Sequence, residues 1–215
     1  MQGPFPALIH LKLVYNGVLP DGFLGGSAPH LQSLELHYVS FPALLTFLLS
    51  ATDLVDLALW DIPNSESGYI FPKMLVTCLA VLANLKSLAI EYDDSRPIPP
   101  LDRDLLPPTR TVHPALIHFK YFWVFEYLEE LVARIDAPLL DSIYITSYQQ
   151  VIFDIPQFDR FMRRTTLFQN LNEAHVDFEY TVFISILFHR HRTLIKSLSL
   201  GSEFHVKSKI GKFHL

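Results

Sequence analysis

Residues 31–36 read LQSLEL, and the spacing of the three leucines in this stretch decides the fold. The pattern is an apolar residue, two spacers, a second apolar residue, one spacer and a third apolar residue. It recurs along the 215-residue chain at starts that lie 23, 23, 31, 31, 24, 31 and 24 residues apart. The eight motifs begin at Leu8, Leu31, Leu54, Leu85, Leu116, Leu140, Leu171 and Ile195.

This spacing and this apolar core are the signature of leucine-rich repeats. Side chains alternate between the two faces of a strand, so the last two apolar residues of a motif share one face. Neighbouring motifs should pair as short parallel strands, each followed by a connection on the convex side. We therefore predict an α/β leucine-rich repeat solenoid with a curved parallel sheet on the concave face and helices and loops on the convex face. It forms one domain over residues 1–215 with about eight irregular units.

Several connections between motifs carry helix signals, namely apolar residues at helical spacing and capping residues. The predicted helices cover residues 41–51 after an N-cap at Ser40, residues 72–83 from Pro72, the apolar stripe 127–135, the segment after the capping-box pair Asp154 and Gln157, and residues 180–188. The first connection, residues 18–29, holds three glycines and two prolines. It is predicted to be a loop or a single turn.

Residues 93–114 break this rhythm with six prolines and four aspartates. Such a segment cannot form a regular helix, because proline lacks the N–H donor and clashes with the preceding turn. One interpretation is a solvated loop or hinge between the fourth and fifth units. The other is a flexible lid over the concave face.

The composition restricts the partners and the compartment. The formal net charge of −5 argues against non-specific nucleic-acid binding, which needs dense Lys and Arg. No apolar run reaches the ~18 residues of a membrane span, and residues 1–15 do not resemble a signal peptide. Cys78 is the only cysteine, so a disulfide framework is excluded and a cytoplasmic or nuclear location is expected.

No motif in the sequence indicates catalysis, a cofactor or a metal site. A nucleophile elbow, a P-loop and a dinucleotide fingerprint are absent. The ten histidines show no HxxxH spacing, and the adjacent carboxylates Glu129 and Glu130 do not converge on one substrate. The basic cluster at 189–192 is either a solvated helix end or a contact for a phosphate or an acidic peptide. We expect no enzymatic activity and no cofactor.

The predicted concave face carries one residue per strand between the two inward-pointing positions, with a second set beside it. The first row is Lys12, Glu35, Ala58, Ala89, Lys120, Tyr144, His175 and Ser199, and the flanking residues are His10, His37, Trp60, Glu91, His118, Phe122, Thr146 and Asp177. Aromatic side chains among scattered charges suit protein recognition. From this set we predict a protein-binding site formed by Lys12, Glu35, His37, Trp60, Glu91, Lys120, Phe122, Tyr144, His175 and Asp177.

Residues 127–141, which include the block LVARIDAPLLD, and residues 151–157, which include FDIPQ, resemble the repeat region of fungal F-box proteins. Members of that family carry an N-terminal F-box that docks on the Skp1 adaptor of a cullin ubiquitin ligase, and their repeats are thought to present substrates. No stretch of this chain resembles the F-box. The resemblance therefore implies the substrate-recognition part of an F-box-type adaptor, which would reach Skp1 only through an F-box missing from this chain.

The chain departs from the standard repeat at its turns and at its beginning. An asparagine usually lies three residues after the last apolar residue of the motif, and only the first unit has it, as Asn16. No capping segment precedes Leu8, so we expect either a truncated form or a missing N-terminal domain. A stand-alone repeat scaffold or inhibitor unrelated to ubiquitin is the alternative function.

Overall fold

A computed structural model describes residues 5, 7–63, 69–93, 109–148, 156–165, 174–179 and 183–189. Its strands are β1 (His10–Val18), β2 (Ser33–Ser40), β3 (Asp56–Ile62), β4 (Ser87–Tyr92), β5 (Thr111–Val112), β6 (His118–Phe122), β7 (Ile135–Asp136), β8 (Ser142–Tyr148), β9 (Ala174–Glu179) and β10 (Phe183–His189). The helices are α1 (Leu44–Ser50), α2 (Pro72–Leu79), α3 (Phe125–Val132) and α4 (Pro156–Arg164). The chain is thus an α/β protein with a mostly parallel sheet.

Eight strands form one sheet in the order β1-β2-β3-β4-β6-β8-β10-β9. The first six of these are parallel, and each carries one of the first six sequence motifs. The middle motif residues face one another without offset, since Leu34 pairs with Leu57, which pairs with Leu88. The predicted strand register is confirmed for these six motifs.

The same pair of backbone hydrogen bonds joins each of the first five motifs to the next one. The carbonyl that follows the first motif residue accepts two N–H groups from the next unit, as Gln32 O does from Val55 N and Asp56 N. The equivalent acceptors in the other units are Ile9, Val55, Lys86 and Ile117. Because each unit docks on its neighbour through the same atoms, the strands stay aligned although the connections differ in length.

The apolar motif residues form the core of the protein. In the second to sixth motifs, all three apolar positions are between 0 and 4% exposed. They share one hydrophobic cluster with helix residues such as Phe47, Leu75, Leu128 and Phe161. The helices therefore cover this side of the sheet, which we call the helix side. The first motif, at the edge strand, is only partly buried.

The helices are shorter than predicted. Ser40 does not cap α1, because it is the last residue of β2, and α1 begins at Leu44 without a side-chain cap. Pro72 is the first residue of α2, as predicted, but this helix ends at Leu79. The first connection forms a single 3₁₀ turn over Phe23–Gly26, which confirms its prediction.

The carboxylate of Glu129 caps α4 from the neighbouring helix α3. Its two oxygens accept hydrogen bonds from the backbone N–H groups of Gln157 and Phe158 at 2.8 and 2.7 Å. These N–H groups belong to the first turn of α4, where no intrahelical acceptor exists. Asp154, the predicted capping residue, lies outside the described residues.

The predicted helix over 127–135 ends early, because Ile135 belongs to a second, two-stranded sheet. There β7 pairs in parallel with β5, which lies inside the proline-rich segment 93–114. His113 N and Thr111 N donate to Asp136 O and Arg134 O, both at 2.8 Å. The end of the segment is thus attached to the connection after α3, whereas residues 94–108 lie outside the described residues.

The prediction for residues 180–188 is wrong, because Phe183–His189 is strand β10 rather than a helix. It runs antiparallel to β8 and to β9 and lies between them. The seventh motif, which contains β9, therefore does not pair with the sixth. The eighth motif, with Ser199, and residues 190–192 of the basic cluster lie outside the described residues.

Buried aromatic residues fill the helix side around α3. Tyr92 stacks on Trp123 with ring centroids 4.4 Å apart, and Tyr127 lies 5.1 Å from Tyr92. The Tyr127 hydroxyl donates to the carbonyl of Ile70 at 2.8 Å. The Tyr92 hydroxyl lies 3.0 Å from that carbonyl and 3.0 Å from the Tyr127 hydroxyl, and it can donate to either one. Burial of these phenols keeps the pKa of both well above the usual value.

Candidate recognition surface

The sheet face opposite the helices carries the alternate residues of the parallel strands, and we call it the open face. One row of paired positions crosses it at the middle of the strands: Lys12, Glu35, Ala58, Ala89, Lys120 and Tyr144. Two residues further along each strand lie His37, Trp60, Glu91, Phe122 and Thr146. The structure thus places eight of the ten predicted site residues on adjacent strands of one face.

Four rings on this face form a continuous line, which we call the aromatic row: His37, Trp60, Phe122 and Tyr144. The ring centroids are 6.3 Å apart between His37 and Trp60, 5.6 Å between Trp60 and Phe122, and 5.2 Å between Phe122 and Tyr144. All four side chains are partly buried against one another and partly open to solvent. Rings held in this way lose little conformational entropy on binding a partner.

Trp60 and Phe122 contact each other although their strands are not neighbours. Strand β4 lies between β3 and β6, and it carries Glu91 at the level of Phe122. The two rings therefore meet across β4, where Ala89 leaves room and is itself only 4% exposed. Glu91 therefore lies on the strand that the two rings span, beside the aromatic row.

Asp61 and Tyr38, which the sequence analysis did not single out, also belong to this surface. Both residues have positive φ angles, 50° and 59°, and occupy the same place in their repeats, two residues after the last apolar residue of the motif. This left-handed conformation lets the next residues, Ile62 and Val39, return to the core, where each is 5% exposed. The negative charge of Asp61, near the Tyr38 hydroxyl, raises the pKa of the phenol.

One carboxylate oxygen of Glu35 has two hydrogen-bonding partners within the chain. Its Oε1 accepts a hydrogen bond from Lys12 Nζ at 2.8 Å and lies 2.7 Å from His37 Nε2. Both hydrogen bonds lower the pKa of Glu35, and the one with Lys12 has the larger effect. Glu35 therefore stays ionised and holds the imidazole at the end of the aromatic row.

The pKa of Glu91, on the same face, is shifted in the opposite direction. Burial raises the pKa of Glu91, and the nearby charge of Asp61 raises it further, while His37 has a smaller opposite effect. In the described part of the chain, no lysine or arginine forms an ion pair with Glu91. Two neighbouring carboxylates thus share this site with little compensating positive charge.

Some predicted site residues are not brought together. Strand β10 separates β9, which carries His175 and Asp177, from Tyr144 on β8, so this pair does not extend the row as predicted. Thr146 is 8% exposed and buried rather than available for contact. His10 and His118 are exposed at the start of their strands, where His118 Nδ1 lies 2.8 Å from Ser142 Oγ.

The described part of the chain was searched for a metal site, a reactive cysteine and a membrane-spanning helix. No group of three or more His, Cys, Asp or Glu residues there could hold a metal ion. Cys78 is buried, and burial raises the pKa of its thiol to about 11, so this cysteine is not an activated nucleophile. Among the helices that the structure describes, none is long and apolar enough to cross a membrane.

No protein family matches the sequence, and neither a curated protein nor a solved structure shows significant similarity to it.

Proposed function

We propose that this protein is a leucine-rich-repeat recognition module that binds a protein partner on its open face and has no catalytic activity of its own. The observation that carries the proposal is the aromatic row. Surface rings that pack on one another and keep one side in solvent are typical anchors of protein interfaces. The ionised groups around the row would fix the orientation of the partner.

The resemblance of residues 127–141 and 151–157 to fungal F-box proteins suggests what the complex of this module with its protein partner would do. The module would hold a substrate while a separate ubiquitin ligase modifies it, in the cytoplasm or the nucleus. Its contribution to the reaction would be positioning, which raises the effective concentration of the substrate at the ligase.

Partner binding can be tested by comparing Trp60→Ala/Tyr144→Ala with the wild type in quantitative co-purification. The matched control is Met74→Ala, because Met74 is a large apolar residue exposed on α2, on the helix side. We expect the double variant to lose most of the partners captured by both the wild type and Met74→Ala. Circular dichroism and thermal unfolding should be unchanged, and retained capture would contradict the proposal.

The link to ubiquitin needs a separate measurement. A longer gene product that carries an F-box should bind a Skp1-type adaptor in a pull-down, and this binding should survive Trp60→Ala/Tyr144→Ala. The reason is that the adaptor would contact the F-box and not the open face. If the longer product does not bind the adaptor, open-face recognition would belong to a scaffold or inhibitor.

A further inference from the structure

We propose that the aromatic row is a docking site for a cationic side chain, arginine or lysine, in an extended segment of the partner. The carboxylates of Glu91 and Asp61 would pair with this cation. The inference rests on the proposed function, because it names the chemistry that the open face recognises.

Glu35 and Glu91, two carboxylates on the same face, have different surroundings. Glu35 has its partners within the chain, because Lys12 forms an ion pair with it and His37 a hydrogen bond. Glu91 lies near Asp61, a second carboxylate, and near His37, which already contacts Glu35. Lys120 lies on the neighbouring strand β6 but forms no ion pair with Glu91 in the part of the chain that the structure describes. Within the described part of the chain, Glu91 therefore has no lysine or arginine as an ion-pair partner, and a binding partner could supply this positive charge.

Glu91 also lies next to the aromatic row, because it is paired with Phe122 in the sheet. Trp60 and Phe122 contact each other across the strand that carries Glu91, at 5.6 Å between ring centroids. The faces of aromatic rings carry partial negative charge and attract ammonium and guanidinium groups. A cation placed here would gain both the ring contacts and the ion pair, and a planar guanidinium could also stack on the indole.

The same features disfavour other partner groups. An apolar side chain on the row would remove the remaining water from Glu91 without giving it a partner, which costs free energy. An acidic side chain would be repelled by Glu91 and Asp61. Charge complementarity thus selects a basic residue within the partner segment, and the rows of alternate residues on the open face suit an extended chain.

The experiment is a selection of displayed random 12-residue peptides on the wild-type protein, followed by titration of the best synthetic peptides. The test variants are Glu91→Gln and Asp61→Asn, which keep the size of the side chains. Asparagine also tolerates the positive φ of residue 61. The matched control is Asp56→Asn, because Asp56 is an exposed carboxylate at the start of β3 on the same face, outside the aromatic row.

We expect the selected peptides to be enriched in arginine or lysine. Glu91→Gln should weaken their binding about tenfold, the loss of a single partly desolvated ion pair, and Asp56→Asn should leave it within about twofold. Replacing the peptide arginine by citrulline, a neutral analogue, should cause the same loss as Glu91→Gln. The two changes together should cost no more than either one alone.

Four results decide between this inference and the proposed function. Peptides without basic enrichment, or peptides that Glu91→Gln and Asp56→Asn affect equally, would overturn the cationic docking site. Sensitivity to Trp60→Ala without sensitivity to Glu91→Gln would also overturn it, while leaving open-face recognition in place. Binding unchanged by both Trp60→Ala and Glu91→Gln would refute the inference and the proposed function together.

Discussion

The two faces of the main sheet are built from alternate residues of the same strands, yet they obey different physical rules. On the helix side, Leu57 and Leu59 of β3 are each 1% exposed and pack among identical positions of neighbouring strands. On the open face, Ala58 and Trp60 of the same strand remain partly accessible. Burial of the residues on the helix side stabilises the fold, whereas the residues of the open face contribute little to this core. Substitutions that compare the two faces should therefore differ in both size and kind.

The largest contrast is expected between Leu57→Asp and Ala58→Asp, adjacent positions on opposite faces. The carboxylate introduced by Leu57→Asp would be buried without a partner, so we expect a loss of more than about 4 kcal/mol in the free energy of unfolding. At position 58 the charge remains hydrated, and we expect a loss below about 1 kcal/mol. Urea denaturation followed by circular dichroism measures both values. Equal effects would mean that the assignment of the two faces is wrong.

A second contrast concerns two tyrosine hydroxyls. Tyr127→Phe removes the buried donor to Ile70 O and leaves that carbonyl dependent on Tyr92, so we expect a loss of about 1–2 kcal/mol. Tyr144→Phe on the open face removes a hydroxyl that water can solvate in either state, and should change stability by less than about 0.5 kcal/mol. Thermal unfolding at neutral pH compares the two. A larger cost for Tyr144→Phe would contradict this view of the open face.

The strands and the core were predictable from the sequence because the motif combines two physical signals. Alternation identifies the side of the strand, as for Leu34 and Leu36, and the similar spacing of motifs brings equivalent residues opposite one another. Eight of the ten predicted site residues followed from the same alternation. The prediction needed no knowledge of the connections, which explains why it succeeded although the lengths of α1 and α2 were wrong.

The parts that could not be predicted depend on contacts between distant residues or on ambiguous local signals. Residues 180–188 form an apolar, β-branched and aromatic stretch that suits a buried strand as well as a helix, and β10 pairs it with strands on both sides. Asp61 joins the open face through a left-handed backbone conformation that no spacing rule indicates. Glu129 caps a helix 28 residues further along the chain, which only the packing of α3 against α4 explains.

That cap provides the third contrast, between a carboxylate that caps a helix and an exposed carboxylate in a connection. Glu129→Gln removes the negative charge at the start of α4 and one of the two acceptors, so we expect a loss of about 1 kcal/mol. Asp21→Asn, an exposed carboxylate in the first connection, should have no measurable effect. Chemical denaturation gives both values, and hydrogen exchange should show faster opening of α4 in Glu129→Gln alone. An unchanged exchange rate would argue against the cap.

The smallest effects, of no more than about 1 kcal/mol each, are expected from Glu35→Gln and Glu91→Gln, and they should have opposite signs. The folded state lowers the pKa of Glu35, so this residue stabilises the protein above its unfolded pKa, and the benefit disappears as the pH falls through its folded pKa. Glu35→Gln should therefore be less stable than the wild type at neutral pH, with a difference that shrinks in acid.

The folded state raises the pKa of Glu91, mainly through burial, so its ionised form favours unfolding. As the pH rises from the ordinary value of 4.5 through the folded pKa, Glu91 lowers the stability of the wild type. Glu91→Gln should consequently be slightly more stable than the wild type at about pH 7, with no difference below the ordinary pKa of 4.5. Urea midpoints measured across this range test the sign. Destabilisation by Glu91→Gln at neutral pH would show that the carboxylate already has a positive partner within the chain, and the proposed cationic docking site would then lose its electrostatic basis.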